Sequence, residues 1–346
     1  MANPARTTTL VTGGTGFLGA HLVRMLASQN KVRLRVLVHS APPAWLKDYE
    51  REVEIVTGSV TSPDDVARVV AGVDQIYHLA GMVSHRADDA HRMYAVHVDG
   101  TRLVCEAAAR AGVTRILMAS TSGTVAVSRR ADDVADEETP PPIEIIARWP
   151  YYASKLYQEE TARRACGDKV ELVTVNPSLL LGPGDDRLSS TRPIVQFLAR
   201  EITLMPAGGL NVVDARDVAA VLPVAMARGT AGARYLLGAV NWTFAEFFGR
   251  LARLTKIPGP MLKFSGDFPM LAARAQAALF KKLGRKVPVD PESVEMAQYY
   301  WYMDAGKAAR ELGFMARDPA DTLRDTVDYV RERVLGNQAF KSAASS

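Results

Sequence analysis

The chain has 346 residues, 48% of them hydrophobic, enough to bury a sizeable core in one large or two medium domains. Formal charge is only +4, and the 42 Lys and Arg form no cluster with interleaved aromatics, which argues against nucleic acid as a partner. No signal-peptide pattern opens the chain and no run of about 20 apolar residues could span a bilayer, so a cytoplasmic protein is expected.

Short β-rich runs alternate with helical patterns along the first half. Strands are predicted at 8–12, 34–38, 54–57, 75–79 and 115–119, with helices starting near Gly16 and Ser62 and a third ending at Ala111. This alternation predicts an α/β fold, a Rossmann-type doubly wound parallel sheet. The following SRRADDVADEETPPP, rich in charge and proline, predicts an irregular loop. A helix from Tyr151 and a strand at 170–175 resume the pattern. Beyond NPSLLLGPGDD the alternation loosens into Pro, Gly and isolated helices, predicting a smaller, mainly helical C-terminal substrate domain. The expected division is a dinucleotide-binding domain at 7–180 completed by 211–230, a substrate-binding domain at 181–210 and 231–336, and flexible tails at 1–6 and 337–346. Cys105 and Cys166 fall in helical runs without the spacing of a metal site or disulfide framework, so they are expected to be buried or idle thiols and no metal is expected.

The first strand runs into TGGTGFLG. Gly14, Gly16 and Gly19 satisfy G-x-G-x-x-G, and Gly13, Gly16 and Gly19 satisfy G-x-x-G-x-x-G, both between strand and helix. A tight turn needs residues tolerant of positive φ, a pyrophosphate must touch backbone where a Cβ would collide, and the free N–H groups of the helix then face the anion. Dinucleotide binding follows. The second strand ends in VLVHS, where His39 and Ser40 can donate to a 2′-phosphate and no carboxylate repels it, with Arg33 and Arg35 nearby; NADP is favoured over NAD.

Tyr151 and Lys155 stand four apart on one helix and share a face. An ammonium beside a phenol favours phenolate, which would let Tyr151 exchange a proton with a substrate oxygen while Lys155 also holds the nicotinamide ribose. MASTSGTV, at the end of the predicted fifth strand, supplies hydroxyls to orient that oxygen, with Ser122 favoured and Thr121 second. Tyr152 and Tyr157 face elsewhere on the helix and are expected to pack.

With TGGTGFLG, YHLAG, STSGTV, YYASK and NPSLLLGPGD in this order, the chain resembles the extended short-chain dehydrogenase/reductase family over nearly its whole length. The resemblance implies that Gly13, Gly16, Phe17, Leu18 and Gly19 contact the cofactor pyrophosphate and that Ala80 and Gly81 lie near its ribose. It implies that Ser122, Tyr151 and Lys155 form the catalytic triad, and that Asn176 and Pro177 close the site beside the nicotinamide. Later segments are most similar to the dihydroflavonol-reductase, 3β-hydroxysteroid-dehydrogenase and hopanoid-associated epimerase branch. In two places the chain departs from the pattern: His97 stands where the family often has Asn, and Ser59 where an Asp commonly reads the adenine. Ser122, Gly123 and Thr124 offer no carboxylate where sugar 4,6-dehydratases carry Thr-Asp-Glu, which argues against dehydration.

Residues 264–288 form a basic amphipathic pattern, read first as a helix over the substrate cleft and second as a peripheral membrane contact through 270–287. The aromatic SVEMAQYYWYMDA is read as core before pocket lining. The leading expectation is hydride transfer between nicotinamide and a hydroxyl or ketone of a hydrophobic, sterol-like small molecule. The alternative is a nucleotide-sugar epimerase with transiently reduced NAD, for which Arg187, Arg192 and Arg216 could grip a diphosphate. A homodimer through the helices of 89–111 and 151–165 is a further expectation from the resemblance.

Overall fold

The computed structural model describes residues 6–84, 86–202, 204–260, 262–263 and 291–336. β1 (Thr8–Thr12) is buried along its whole length, as a strand must be when it has partners on both edges and helices on both faces. β2 (Arg33–Val38) and β3 (Val53–Thr57) extend the sheet on one side of it. β4 (Gln75–His78), β5 (Arg115–Ala119), β6 (Glu171–Pro177) and the late β10 (Arg234–Leu237) extend it on the other. All pairs are parallel, in the order β10-β6-β5-β4-β1-β2-β3. The order reverses between β1 and β4, and open sheets of this kind hold ligands just beyond the carboxyl ends of the strands at such a point.

Each face of the sheet carries its own core. α1 (Phe17–Gln29) and α9 (Ala215–Arg228) lay Leu22, Val23, Leu222 and Ala225 against Val11, Val36 and Val173. On the opposite face, α3 (Pro63–Val70), α5 (Gly100–Ala111) and α7 (Pro150–Cys166) lay Val66, Val69, Val104 and Ala162 against Leu10, Ile76 and Ile116. Cys105 and Cys166 meet in this second layer as buried free thiols. The boundaries follow local signals. Ser62 accepts from the Asp65 amide to cap α3 with Pro63 in its first turn, and Gly112 closes α5 at φ 76°. Shorter helices α2 (Ala44–Lys47), α4 (Ala90–Tyr94) and α6 (Ile143–Ile146) sit in the connections.

β10 lies in the large sheet, so the chain from 231 contributes to the parallel core before it reaches the smaller part. That part is mainly helical, as expected, and also carries small sheets among the described residues. It holds β9 (Gly209–Asp214) between β11 (Val240–Thr243) and β13 (Tyr300–Trp301), with β7 (Leu179–Leu181) also on β9, while β8 (Leu204–Met205) pairs with β12 (Leu262–Lys263). α8 (Arg192–Leu198) and α10 (Phe244–Thr255) pack Phe197, Phe247 and Phe248 over Leu210 and Val212. After the single 3-10 turn Ser122–Thr124 the loop that follows β5 is irregular as far as α6, but its Ser128 and Ala135 bridge to Tyr300 and Met303 and so tie the two parts together. The basic amphipathic stretch at 264–288 lies outside the described residues. Among those described, no helix is long and apolar enough to cross a membrane.

Candidate active site

The glycine bend joins β1 to α1 at the switch point. Gly13 takes φ 71°, and a Cβ there would lie 2.5 Å from the Ala80 amide nitrogen, so the bend touches the end of β4. A Cβ on Gly19 would lie 2.2 Å from the Gly13 carbonyl oxygen, which brings α1 against the turn. Gly16, the N-cap of α1, has no side-chain cap, and the first turn of the helix has no acidic residue. The amides of Phe17, Leu18 and Gly19 therefore start a 13-residue helix without an internal acceptor, as a pyrophosphate site requires. The residues present fit a dinucleotide.

The remaining candidates divide between the two ends such a molecule would have. His39 is exposed just beyond β2 and Ser59 half-buried just beyond β3, both on the far side of β1 from β4. Arg33 and Arg35 are not beside them. They lie in the first half of β2, about 17 and 10 Å of strand from its far end, and the Arg35 guanidinium donates to Glu54 and to the carbonyls of Val69 and Ala71. Ala80 and Gly81 follow β4, Thr121 and Ser122 follow β5, and Asn176 and Pro177 end β6.

α7 brings Tyr151 and Lys155 over these strand ends. Lys155 is 5% exposed, and its Nζ donates to the Ala119 carbonyl at 2.8 Å and to Gln158 Oε1 at 2.7 Å. Burial lowers its pKa to about 8, against an opposing pull from the Glu159 carboxylate. A Cβ on Gly81 would lie 3.8 Å from Nζ, which puts the loop after β4 beside the ammonium. Tyr151 behaves otherwise than expected. Burial pushes its phenol up to about 12, and the only opposing influence is a hydrogen bond with the Thr121 side chain. Desolvation outweighs that bond, and at neutral pH the phenol keeps its proton. Thr121, the second choice from sequence, makes that bond, while Ser122 is buried within the single turn Ser122–Thr124.

Two features escaped sequence reasoning, and a third, His97, was marked there only as a departure from the family pattern. Glu159, only 3% exposed, accepts from Ser120 Oγ, from Thr124 Oγ1 at 3.0 Å and from Asn176 Nδ2 at 2.8 Å, and pairs with Arg234 on β10. It continues the face of Tyr151 and Lys155 by one more turn, so the i, i+4, i+8 spacing could have found it. Gln158 passes from Lys155 to Thr101, whose hydroxyl meets buried His78 at 2.8 Å, and His78 in turn meets Thr12 in β1. His97 bonds both the loop after β4 and α7.

Two further expectations need correction. Arg216 is not available to grip a diphosphate: its guanidinium is held between Asp214 and Asp325, which raise its pKa further. Tyr157 does not pack into the core but stands 57% exposed beside Tyr94, whereas Tyr152 does pack, 4.7 Å from Trp301. Among the late aromatics, Tyr299 and Tyr302 are buried, and Trp301 stacks on Trp149 beside Tyr152.

The pattern of the NAD dependent epimerase/dehydratase family matches residues 9–238. Over 92% of its length the chain is 33% identical to a dihydroflavonol 4-reductase-like protein of Synechocystis sp., covering 93% of that protein. It is 29% identical to sterol demethylase protein B of Methylococcus capsulatus, over 94% of this chain and 99% of that one. Its fold superposes on the crystal structure of gox2253 with a TM-score of 0.79 at 28% identity, covering 94% and 98% of the two chains. The switch-point bend, the paired tyrosine and lysine, and these likenesses agree: the chain belongs to the NAD dependent epimerase/dehydratase family and is an NAD(P)-dependent oxidoreductase of the extended short-chain dehydrogenase/reductase type.

Proposed function

We propose that the protein reduces a ketone on a hydrophobic, sterol-like or polycyclic molecule to the alcohol, drawing on NADP rather than NAD. The observation that carries this reading is the half-buried Tyr151 on one helix face with buried Lys155, over the strand ends at the switch point. The phenol holds a proton that it passes to the substrate oxygen as hydride arrives at carbon, and the same group takes that proton back in the reverse direction. The nicotinamide, when bound, supplies the hydride. Thr121, bonded to the phenol, and Ser122 beside it orient the substrate oxygen. Lys155 spends two N–H groups on Ala119 and Gln158 and keeps one for a ribose hydroxyl. Asn176, pinned to the Thr121 carbonyl at 3.0 Å, and Pro177 form the wall beside the ring. The preference for NADP rests on His39 and Ser40, which offer donors and no carboxylate at the end of β2. The hydrophobic substrate class rests on the relatives, one named for a sterol and one for a flavonol.

The test mixes purified protein with NADPH or NADH and a panel of cyclic ketones and follows absorbance of the reduced cofactor. Consumption of NADPH with an apolar ketone is expected. Conversion of a nucleotide sugar without net oxidation, by protein that keeps its cofactor through gel filtration, would replace this reading with an epimerase. Tyr151→Phe should lower turnover by about a thousandfold and leave NADPH binding intact, in keeping with loss of one general acid. Undiminished turnover by that variant would remove the phenol from the chemistry.

A further inference from the structure

His97 is fully buried and lies in the π-helical turn Ala95–Asp99, between α4 and α5. Such turns interrupt the regular helix repeat and gather at functional sites. Here the ring reaches two elements at once. Nε2 is 3.0 Å from the Met82 amide nitrogen in the loop after β4, and Nδ1 is 2.9 Å from Ser154 Oγ on α7. These partners fix the tautomer. A backbone amide can only donate, so Nε2 is the bare nitrogen and Nδ1 carries the proton. Ser154 agrees, because its hydroxyl donates to the Tyr151 carbonyl at 2.8 Å and is left to accept from the ring. Burial, then the charge of Lys155, press the imidazole down to about 2, so it stays neutral. Its edge also meets the Tyr151 ring, with centroids 5.9 Å apart and planes at 72°.

We propose that His97 is a positioning residue that clamps the loop after β4 to the catalytic helix through one directed chain: Met82 N–H to imidazole, imidazole N–H to Ser154, Ser154 O–H to the Tyr151 carbonyl. The inference rests on the reductase reading, which gives that loop and Tyr151 their roles. There is little slack around the ring: a Cβ on Gly81 would lie 3.3 Å from Nε2. One arm holds the loop beside which the cofactor ribose would lie, and the other holds the backbone that carries the proton donor.

The two arms can be cut separately. An asparagine amide sits at the level of Nδ1 and can still donate to Ser154, but stops short of Met82. A glutamine carbonyl oxygen reaches the level of Nε2 and can accept from Met82, but leaves Ser154 without its donor. The full-length protein and its His97→Asn and His97→Gln variants are titrated with NADPH by fluorescence, and exchange of the amides in the 79–84 segment is followed by mass spectrometry. Steady-state rates are measured with the ketone that the wild-type protein turns over fastest. His97→Asn should weaken NADPH binding about tenfold and speed exchange, with turnover little changed. His97→Gln should leave NADPH binding and exchange intact and lower turnover about tenfold, each as expected for one lost buried hydrogen bond. Parallel losses of affinity, turnover and thermal stability in both variants would reduce His97 to a packing residue and overturn the clamp. Variants that match the wild-type protein in both measurements would overturn it too, leaving the reductase reading intact. Failure of the wild-type protein to bind NADPH or NADH would remove that reading and the clamp with it.

Discussion

Lys155 and Glu159 set the pH behaviour of the site. Lys155 has its pKa lowered by burial to about 8, and Glu159 opposes that fall. Reduction that depends on the ammonium should be constant below about pH 8 and decline above it. Glu159→Gln removes the opposing charge, so the break in a pH profile of kcat/KM should move to lower pH. The same change leaves Arg234 without its buried partner and should cost about 3 kcal/mol of stability in a urea melt. An unmoved break would mean that the titration belongs to another group. Tyr151 and Lys155 were legible because four residues of helix bring them together whatever the rest of the chain does. The phenol's high pKa was not, since spacing carries no information about how deeply a group is buried. Glu159 was hidden for a related reason: its partners Ser120, Thr124, Asn176 and Arg234 lie on other elements, and only the folded sheet collects them.

Among the elements, the strand-turn-helix at the switch point was the most legible, because its glycines answer local demands that differ from one position to the next. A Cβ on Gly19 would meet the Gly13 carbonyl oxygen at 2.2 Å and Gly14 Cα at 2.8 Å, both backbone atoms that cannot step aside without moving β1. Gly19→Ala should therefore lower the melting temperature by several degrees. A Cβ on Gly16 would meet only the Gly13 carbonyl oxygen, at 3.2 Å, and the residue's φ of −80° suits alanine. Gly16→Ala should lower the melting temperature less than Gly19→Ala does, yet bind NADPH about tenfold more weakly, because the new methyl occupies the approach to the helix N-terminus. Equal affinity for NADPH would place the pyrophosphate elsewhere. In the parallel sheet β10 was missed because it lies far along the chain from its neighbours, but the other six of the seven strands were also readable to within a residue or two from their apolar runs. Those of the smaller sheet were not: Leu179–Leu181 and Tyr300–Trp301 are too short to show a period of two, and both depend on β9 for their pairing.

At the scale of the whole molecule, His78 and His97 are both fully buried between the sheet and the α5–α7 layer. Burial, assisted by the Lys155 charge, lowers their pKa values to about 3 and about 2, against about 6.5 when exposed in the unfolded chain. Below pH 6.5 the unfolded chain takes up protons that the folded protein refuses, so their contribution to stability is intact above that pH and is lost as the pH falls toward 3. At pH 5 each histidine should have cost about 2 kcal/mol relative to neutral pH, about 4 kcal/mol together. The carboxylates held low by their partners, such as Asp65 and Glu160, act in the same direction but mainly below pH 5, where exposed carboxylates begin to titrate. A urea midpoint measured at pH 7.5 and again at pH 5 therefore isolates the histidines. His97→Asn, which cannot take up a proton in either state, should lose about 2 kcal/mol less than the wild-type protein, whose loss also includes His21, lowered by burial. A midpoint that holds steady over that interval would mean the two rings are already charged or exposed in the folded state. The two hydrogen-bonded chains that run from His78 and from His97 to α7 would then lose the neutral donors and acceptors on which their directions depend.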